Sequence, residues 1–366
     1  MATERQVKAS RGVAGRRPGE PRKPVTMIEV AAAAGVAQST VSRILNDSPG
    51  MIAVSEQTAT RVKRIAAELG YRPDPIARAL RGAPTMLLGA IVRDITDPFF
   101  TGAVEALTIA CKARGYSVVL GNARATEDEA LAITAVLEAR QCDGIVLFGD
   151  FTAEHRLVDD LEDLHARIVG LWHGSENEHP FPTVGVNNRS GVRAALDHLA
   201  ELGHRDIAYV GAESLGDMQD RHAAYVEWMS EHGLPIPDGA IQIVPNYFGG
   251  GNHALGPILD RAPRISAVLA ATDTLAVGLL HAAHARGVQV PNELSIVGFD
   301  DISMAAVTVP SLTTVRMPVV EIVTRGVDLC IGENPWSGVW PPPREEFEPR
   351  LIVRGSSAAA VTTQPL

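Results

Sequence analysis

The run Gly35-Val36-Ala37-Gln38-Ser39-Thr40-Val41-Ser42-Arg43-Ile44-Leu45-Asn46 holds residue types that read nucleic acid. Gln pairs with adenine and Arg with the N7 and O6 of guanine, whereas hydroxyl and amide side chains bond phosphates. A helix over Gln38–Leu45 turns Val41, Ile44 and Leu45 to one face and presents Gln38, Ser39, Ser42 and Arg43 on the other. Thr40, Ser42 and Asn46 suit phosphate contacts. An ordinary three-helix cap would show the same spacing, so spacing alone leaves the two readings level.

A second set of residues recurs farther along. It comprises Arg93, Asp94, Asp97, Phe99 and Phe100; Gly149 and Asp150; Trp172 and His173; Tyr247 and Phe248; Thr272 and Asp273; Asp300 and Asp301. Aromatic faces with a few hydrogen-bonding groups suit a small polar ring such as a sugar. For any one Phe or Trp, core packing is an equal alternative; for Asp273 and Asp301 the alternative is helix capping. Catalytic patterns are missing: there is no Gly-x-Ser-x-Gly elbow, no His-Glu-x-x-His and no Gly-rich phosphate loop. His281 and His284 have no evident third ligand, so no metal is expected. Asp300 and Asp301 are adjacent on an extended segment and point to opposite sides, a poor arrangement for paired acid–base work.

The elements that must position these residues fall into two groups. Thr26 with Glu29 makes a capping box ahead of a helix that Gly35 ends. Ser55 caps a third helix with Val62, Ile65, Ala66 and Leu69 on one face, and Gly70 suits its stop. Asp74-Pro75 through Gly82 reads as a helix of about two turns, too short to be stable alone. From Met86 onward, apolar strand candidates alternate with helices that end at Gly115, Gly203, Gly233 and Gly287. The strands are Leu87–Val92, Val118–Leu120, Ile145–Phe148, Ile168–Leu171, Ile207–Val210, Ile241–Val244, Ala267–Ala271 and Ser295–Phe299. This is the pattern of parallel α/β sheets. A fresh start near Val184–Val186 splits it into two lobes, Pro335 to Pro349 reads as loop, and Leu351–Val353 as a last strand. Ligands in such sheets bind beyond the carboxyl ends of the strands, where the second set lies.

Charge divides the 366 residues the same way. Residues 1–82 carry 14 Lys and Arg against 7 Asp and Glu, while the rest carry 19 against 36. A basic head on an acidic body tips the first motif towards nucleic acid. Residues 1–24, rich in Arg, Gly and Pro, read as a disordered basic tail. Three scattered cysteines exclude a disulfide framework and favour a reducing compartment. No apolar run approaches the ~18 residues of a membrane span, and no signal peptide is seen.

Several motifs in order resemble the LacI/GalR family of bacterial transcription regulators. They are Val25–Asn46, Val54-Ser55 with Thr58, and Glu68 to Arg81 in the head. The body adds Asp97-Pro98-Phe99-Phe100, Asp143-Gly144-Ile145, Val186 to Gly191, Leu202-Gly203-His204, Val297 to Asp301, Leu312 to Val315 and Arg354-Gly355-Ser356. The resemblance implies a three-helix helix-turn-helix head at 25–72, a hinge helix at 73–84 and a two-lobed, periplasmic-binding-protein-like core at 85–357, before a tail at 358–366. Lobe 1 would hold about 85–185 and 312–345, with the strand after Leu312 returning to it, and lobe 2 about 186–311. The resemblance adds Arg221 as a clamp for ligand hydroxyls or a carboxylate, and Asp300 as an acceptor. It places Arg78 near phosphates and Leu80 as a minor-groove wedge. Departures are a longer loop between Asn46 and Val54, Ala37 where Ser is usual, Asp74 for Asn, Asn187 for Asp and Ala224 for Gly. Trp172-His173 replaces an Asp-Arg common in sugar-binding relatives, which admits a larger or aromatic ligand.

The resulting expectation is a cytoplasmic, homodimeric DNA-binding regulator, a repressor, with no cofactor, no membrane contact and no enzymatic activity. Its DNA contacts would be Thr26, Gln38, Ser39, Thr40, Ser42, Arg43, Asn46, Arg78 and Leu80 on a pseudo-palindromic double-stranded operator. Its effector, a sugar or derivative, would meet Asp97, Phe99, Phe100, Trp172, His173, Arg221, Phe248, Thr272 and Asp300. The competing class is an intracellular solute-binding protein or sugar-processing α/β enzyme with an incidental helical head.

Overall fold

The computed structural model describes residues 25–45, 54–71, 84–124, 126–151, 157, 167–174, 179–212, 216–262, 264–332 and 341–360. The expected basic tail and hinge helix, with Asn46, Arg78 and Leu80, lie outside them. The chain forms two compact units divided between Ala83 and Pro84.

Among its described residues the first unit has three helices: α1 (Met27–Ala34), α2 (Gln38–Leu45) and α3 (Glu56–Leu69). The Thr26 hydroxyl accepts from the Glu29 N–H at 3.4 Å, and the Glu29 carboxylate accepts from the Thr26 N–H at 2.7 Å, closing the capping box. Gly35 (φ 64°) and Gly70 (φ 70°) end α1 and α3 in the left-handed region, where a side chain would be strained. Val30, Ala31 and Ala34 of α1 meet Val41 and Ile44 of α2 and Val62 and Ala66 of α3 in one small core. The first turn of α2 rests on backbone bonds to the Ala37 carbonyl, which the Thr40 N–H meets at 2.9 Å. Alanine offers no side-chain cap there. Ala37→Ser should therefore stabilise the head by about 1 kcal/mol. Slower hydrogen exchange in α1–α3 would show it, and unchanged exchange would refute it.

The second unit is built on two six-stranded sheets. The first sheet contains β1 (Leu87–Val92), β2 (Ser117–Asn122), β3 (Gly144–Phe148), β4 (Arg167–Leu171), β5 (Thr183–Val186) and β11 (Arg344–Phe347), in the order β11-β5-β4-β3-β1-β2. The second contains β6 (Ile207–Gly211), β7 (Ile241–Ile243), β8 (Ala267–Ala270), β9 (Ser295–Asp300), β10 (Thr313–Arg316) and β12 (Arg350–Ile352), in the order β12-β10-β9-β8-β6-β7. All neighbours are parallel except β10 and β12. The central strands are buried along their whole length, which is why they read as continuous apolar runs. Helices α4 (Pro98–Ala113), α5 (Glu127–Ala139) and α10 (Val319–Ile331) cover the first sheet. Helices α6 (Asn188–Glu201), α7 (Gly216–Glu231), α8 (Phe248–Arg261) and α9 (Asp273–Arg286) cover the second. Among the described residues, no helix is long and apolar enough to cross a membrane.

Two sequence expectations are corrected here. The strand after Leu312 does not return to lobe 1: Thr313–Arg316 pairs with β9, and the chain crosses only afterwards. Burial decides it, because Thr313, Thr314 and Val315 are enclosed and the Thr314 hydroxyl donates to Asp273 at 2.5 Å. The stretch read as loop up to Pro349 contains β11, a polar edge strand beside β5. Edge strands carry charge without apolar alternation, so the sequence pattern hid it. Among the described residues three crossings therefore join the lobes: at Asn187, at Met317-Pro318 and at Glu348-Pro349. The first and third are tied together. The Asn187 amide donates to the Glu348 carboxylate at 2.9 Å, and the Ser190 hydroxyl donates to it at 2.6 Å.

The Leu202-Gly203-His204 and Arg354-Gly355-Ser356 motifs have structural work in lobe 2. His204 is buried and bonds the hydroxyls of Ser266 and Ser295 at the starts of β8 and β9. Ser356 donates to the Ile296 carbonyl and accepts from the Thr313 N–H.

Candidate functional site

The head presents α2 as an exposed helix held from beneath by Val41 and Ile44. Gln38 and Ser39 are exposed, while Thr40, Ser42 and Arg43 are half-buried. Thr26 is exposed but engaged in the capping box. Helix, Gly35-containing turn and helix form the geometry that lays a second helix in a major groove.

In the second unit a cavity of about 330 Å³ opens between the lobes at the carboxyl ends of the strands. Lobe 1 contributes Arg93 and Asp94 after β1, Asp97, Phe99 and Phe100 at the start of α4, Asp150 after β3 and Trp172 after β4. Lobe 2 contributes Asp217 and Met218 from α7, Asn246 and Tyr247 before α8, Thr272 before α9 and Asp300 at the end of β9. Met317 comes from the middle crossing.

Local rules explain these positions. Asp97 is the N-cap of α4 and accepts from the Phe99 N–H at 3.1 Å; Thr272 caps α9 through the Leu275 N–H. Both caps face the cavity because parallel strands deliver helix N-termini to one edge. The lobes also bond across it. The Asn246 amide donates to Asp97 at 2.9 Å and accepts from the Thr272 hydroxyl at 2.8 Å, and the Gly216 N–H donates to Asp150 at 2.8 Å. Phe99 meets Trp172 edge-on, with ring centroids 4.9 Å apart, and Phe100 edge-on at 5.2 Å.

Three non-glycine residues at this edge have left-handed backbones: Trp172 (φ 59°), Asp300 (φ 120°) and Asp301 (φ 58°). Strain of this kind persists only where surroundings fix it. Asp300 turns towards Arg221 and the cavity, while Asp301 turns away to Arg316 and Arg354, at 2.5 and 2.7 Å. Asp273 also turns from the cavity and accepts from the Ile302 N–H.

Of the nine expected ligand residues, Asp97, Phe99, Phe100, Trp172, Thr272 and Asp300 line the cavity. Arg221 stands behind the wall, 1% exposed. Its guanidinium donates to Asn188, the Ala271 carbonyl, Asp217 and Asp300, and lies 3.8 Å from the Phe299 ring centre. It orients two carboxylates rather than facing the cavity itself. His173 is also buried behind the wall, edge-on to His179 and Phe181, with Nδ1 3.7 Å from Asp150. Burial pushes its pKa down to about 3. Phe248 starts α8 outside the cavity lining. Asp217, Met218, Pro245, Asn246 and Met317 also line the cavity and are not among the residues expected from sequence. Asp217 was findable, because it sits four residues before Arg221 on one helix face.

Burial raises the Asp97, Asp217 and Asp300 carboxyls above their usual range, Asp300 well above it. Arg221 opposes the shift at Asp217 and Asp300.

Residues 26–74 match the pattern of "Bacterial regulatory proteins, lacI family", and residues 196–357 that of "Periplasmic binding protein-like domain". The chain is 30% identical to the HTH-type transcriptional regulator AscG of Escherichia coli (strain K12), over 91% of its length and 98% of that protein. It is 30% identical to catabolite control protein A of Priestia megaterium, over 81% and 89%. A crystal structure of the Lac repressor dimer bound to operator and the anti-inducer ONPF shares the fold, with a TM-score of 0.80 at 23% identity, covering 92% of this chain and all of that one (100%). A complex of the transcriptional regulator CelR with cellobiose is 27% identical, with a TM-score of 0.66, covering 91% and 100%.

Proposed function

We propose, for a chain that belongs to the LacI/GalR family of DNA-binding transcriptional regulators, a repressor whose grip on its operator is set by a sugar or sugar derivative held between the lobes. The relatives named above are regulators, not enzymes. The observation that carries the proposal is the cavity itself. Its wall is drawn from both lobes and joins aromatic faces to carboxylates, the pairing that a hydroxylated ring requires. A ligand touching both lobes binds one lobe arrangement better than another, and that difference is what shifts an equilibrium. The cellobiose seen with CelR supports the chemical class.

A homodimer presents two copies of α2 to the half-sites of a pseudo-palindrome, in the compartment that holds the DNA. Gln38, Ser39 and Arg43 read bases, and Thr26, Thr40 and Ser42 bind phosphates. Asn46 joins the phosphate contacts, and Arg78 and Leu80 keep the roles that the family resemblance gives them. A gel shift with the DNA upstream of its own gene tests the proposal. Retardation at low protein concentration, altered by a sugar, is the expected result. Retardation that no sugar alters would remove the effector, and absence of any retarded band would remove the operator.

A further inference from the structure

Resting on the reading of the cavity as the effector site, we propose that the effector carries a protonated amine beside its hydroxyls, the chemistry of an amino sugar. Carboxylates outnumber cations on the wall, where Asp94, Asp97, Asp150, Asp217 and Asp300 face one guanidinium, that of Arg93. Helix ends answer part of this charge. Asp97 accepts from the first turn of α4 and Asp150 from the first residue of α7, and both ends carry partial positive charge. Asp217 and Asp300 share one buried cation, Arg221, at 3.2 Å each. Arg93 eases Asp217, whereas Asp300 meets the like charges of Asp273, Asp97 and Asp217. The Asp300 end is therefore short of cations in a site shielded from water, and only a cation brought there lets its carboxylate stay ionised. A hydroxyl can bond there but cannot neutralise it; an ammonium does both.

The opposite wall asks for an acceptor. Trp172 is 3% exposed, and its indole N–H has no hydrogen-bond partner among the described residues. The Arg93 Nε is in the same position. Leaving such donors unpaired is costly, and both nitrogens lie beneath the surface of the wall, so a ring oxygen or hydroxyl satisfies them only once Trp172 or Arg93 turns towards it. The 330 Å³ volume lies at the small end of the ~300–1,000 Å³ range of ligand sites, which suits one sugar ring.

Calorimetric titration of the full chain at neutral pH, where the raised carboxyls give up their protons more readily, tests this with matched pairs. The pairs are D-glucosamine and D-glucose, D-galactosamine and D-galactose, and D-mannosamine and D-mannose. In at least one pair the amine should bind about ten-fold tighter than its neutral parent. Asp97→Asn keeps the helix cap but removes one charge and the acceptor of the Asn246 amide; the lost lobe contact weakens amine and neutral sugar alike, and the lost charge should narrow the preference several-fold. Equal binding within every pair, or no heat from any amine, overturns the proposal; so does a preference that Asp97→Asn leaves intact. Operator binding is read separately by gel shift. A chain that prefers amines but ignores its operator fails only the regulator reading, and one that binds its operator without amine preference fails only this one.

Discussion

Arg221→Ala should cost about 3–5 kcal/mol of stability at neutral pH, because it strips the cation from a buried network and leaves two carboxylates unpaired. The guanidinium is 1% exposed and bonds Asp217 and Asp300 at 3.2 Å, so no water replaces it easily. The loss should shrink as pH falls. Asp300 already has a native pKa raised by burial, with Arg221 as the opposing influence. Removing Arg221 raises it further, so the native state of the variant holds a proton that the unfolded chain releases. A raised carboxyl favours folding at pH below its unfolded value, and that advantage fades as pH climbs through the native value. The gap between wild type and variant is therefore widest near neutrality and narrowest near the ordinary aspartate pKa. Urea unfolding followed by tryptophan fluorescence reads it, since Trp228 is wholly buried in the same lobe. Equal midpoints at pH 7 would mean that the carboxylates do not depend on Arg221. Asp300→Asn separates structure from sensing, because it preserves shape and removes the charge. It should keep the fold and lose the ligand-dependent rise in melting temperature; a rise that persists moves the ligand elsewhere.

Arg43→Ala should weaken operator binding by about 1–3 kcal/mol and relax preference at one base pair in each half-site. Val41 and Ile44 lock α2 against α1 and α3, so the guanidinium starts from a fixed backbone. Competition assays against single-base operator variants provide the measurement. Equal weakening on all sequences would assign Arg43 to phosphate and leave Gln38 as the reader.

Much of this architecture was legible because local chemistry and tertiary need agreed. Thr26 with Glu29, and Gly35 and Gly70, bound the head helices where capping rules put them. The buried strands announced themselves as unbroken apolar runs. Legibility failed where the determining contact was remote. Thr313 and Thr314 look neutral in sequence, yet their burial against Asp273 and Ser356 holds β10 in lobe 2. The charges of Arg344, Glu345 and Glu346 hid an edge strand. In the cavity, strand-end residues were foreseeable from topology. Arg221 and His173 were foreseen at the site but stand one layer behind it, because sequence gives the end of an element and not the rotation of a side chain. Asn246 and Met317 carry no motif, and only the meeting of two lobes selects them.

The three crossings have a mechanical consequence. A lone tether would let the lobes swivel about every axis, and the open ensemble would be broad. Asn187 and Ser190 clamp the first crossing to Glu348 on the third, and Met317 and Pro318 of the second line the same groove as Phe347 and Glu348. Strands bundled in this way leave essentially one soft coordinate, like a door on several hinges. Little disorder is then surrendered on closing, so a modest contact energy suffices to shut it. Motion along a single coordinate also has a definite direction.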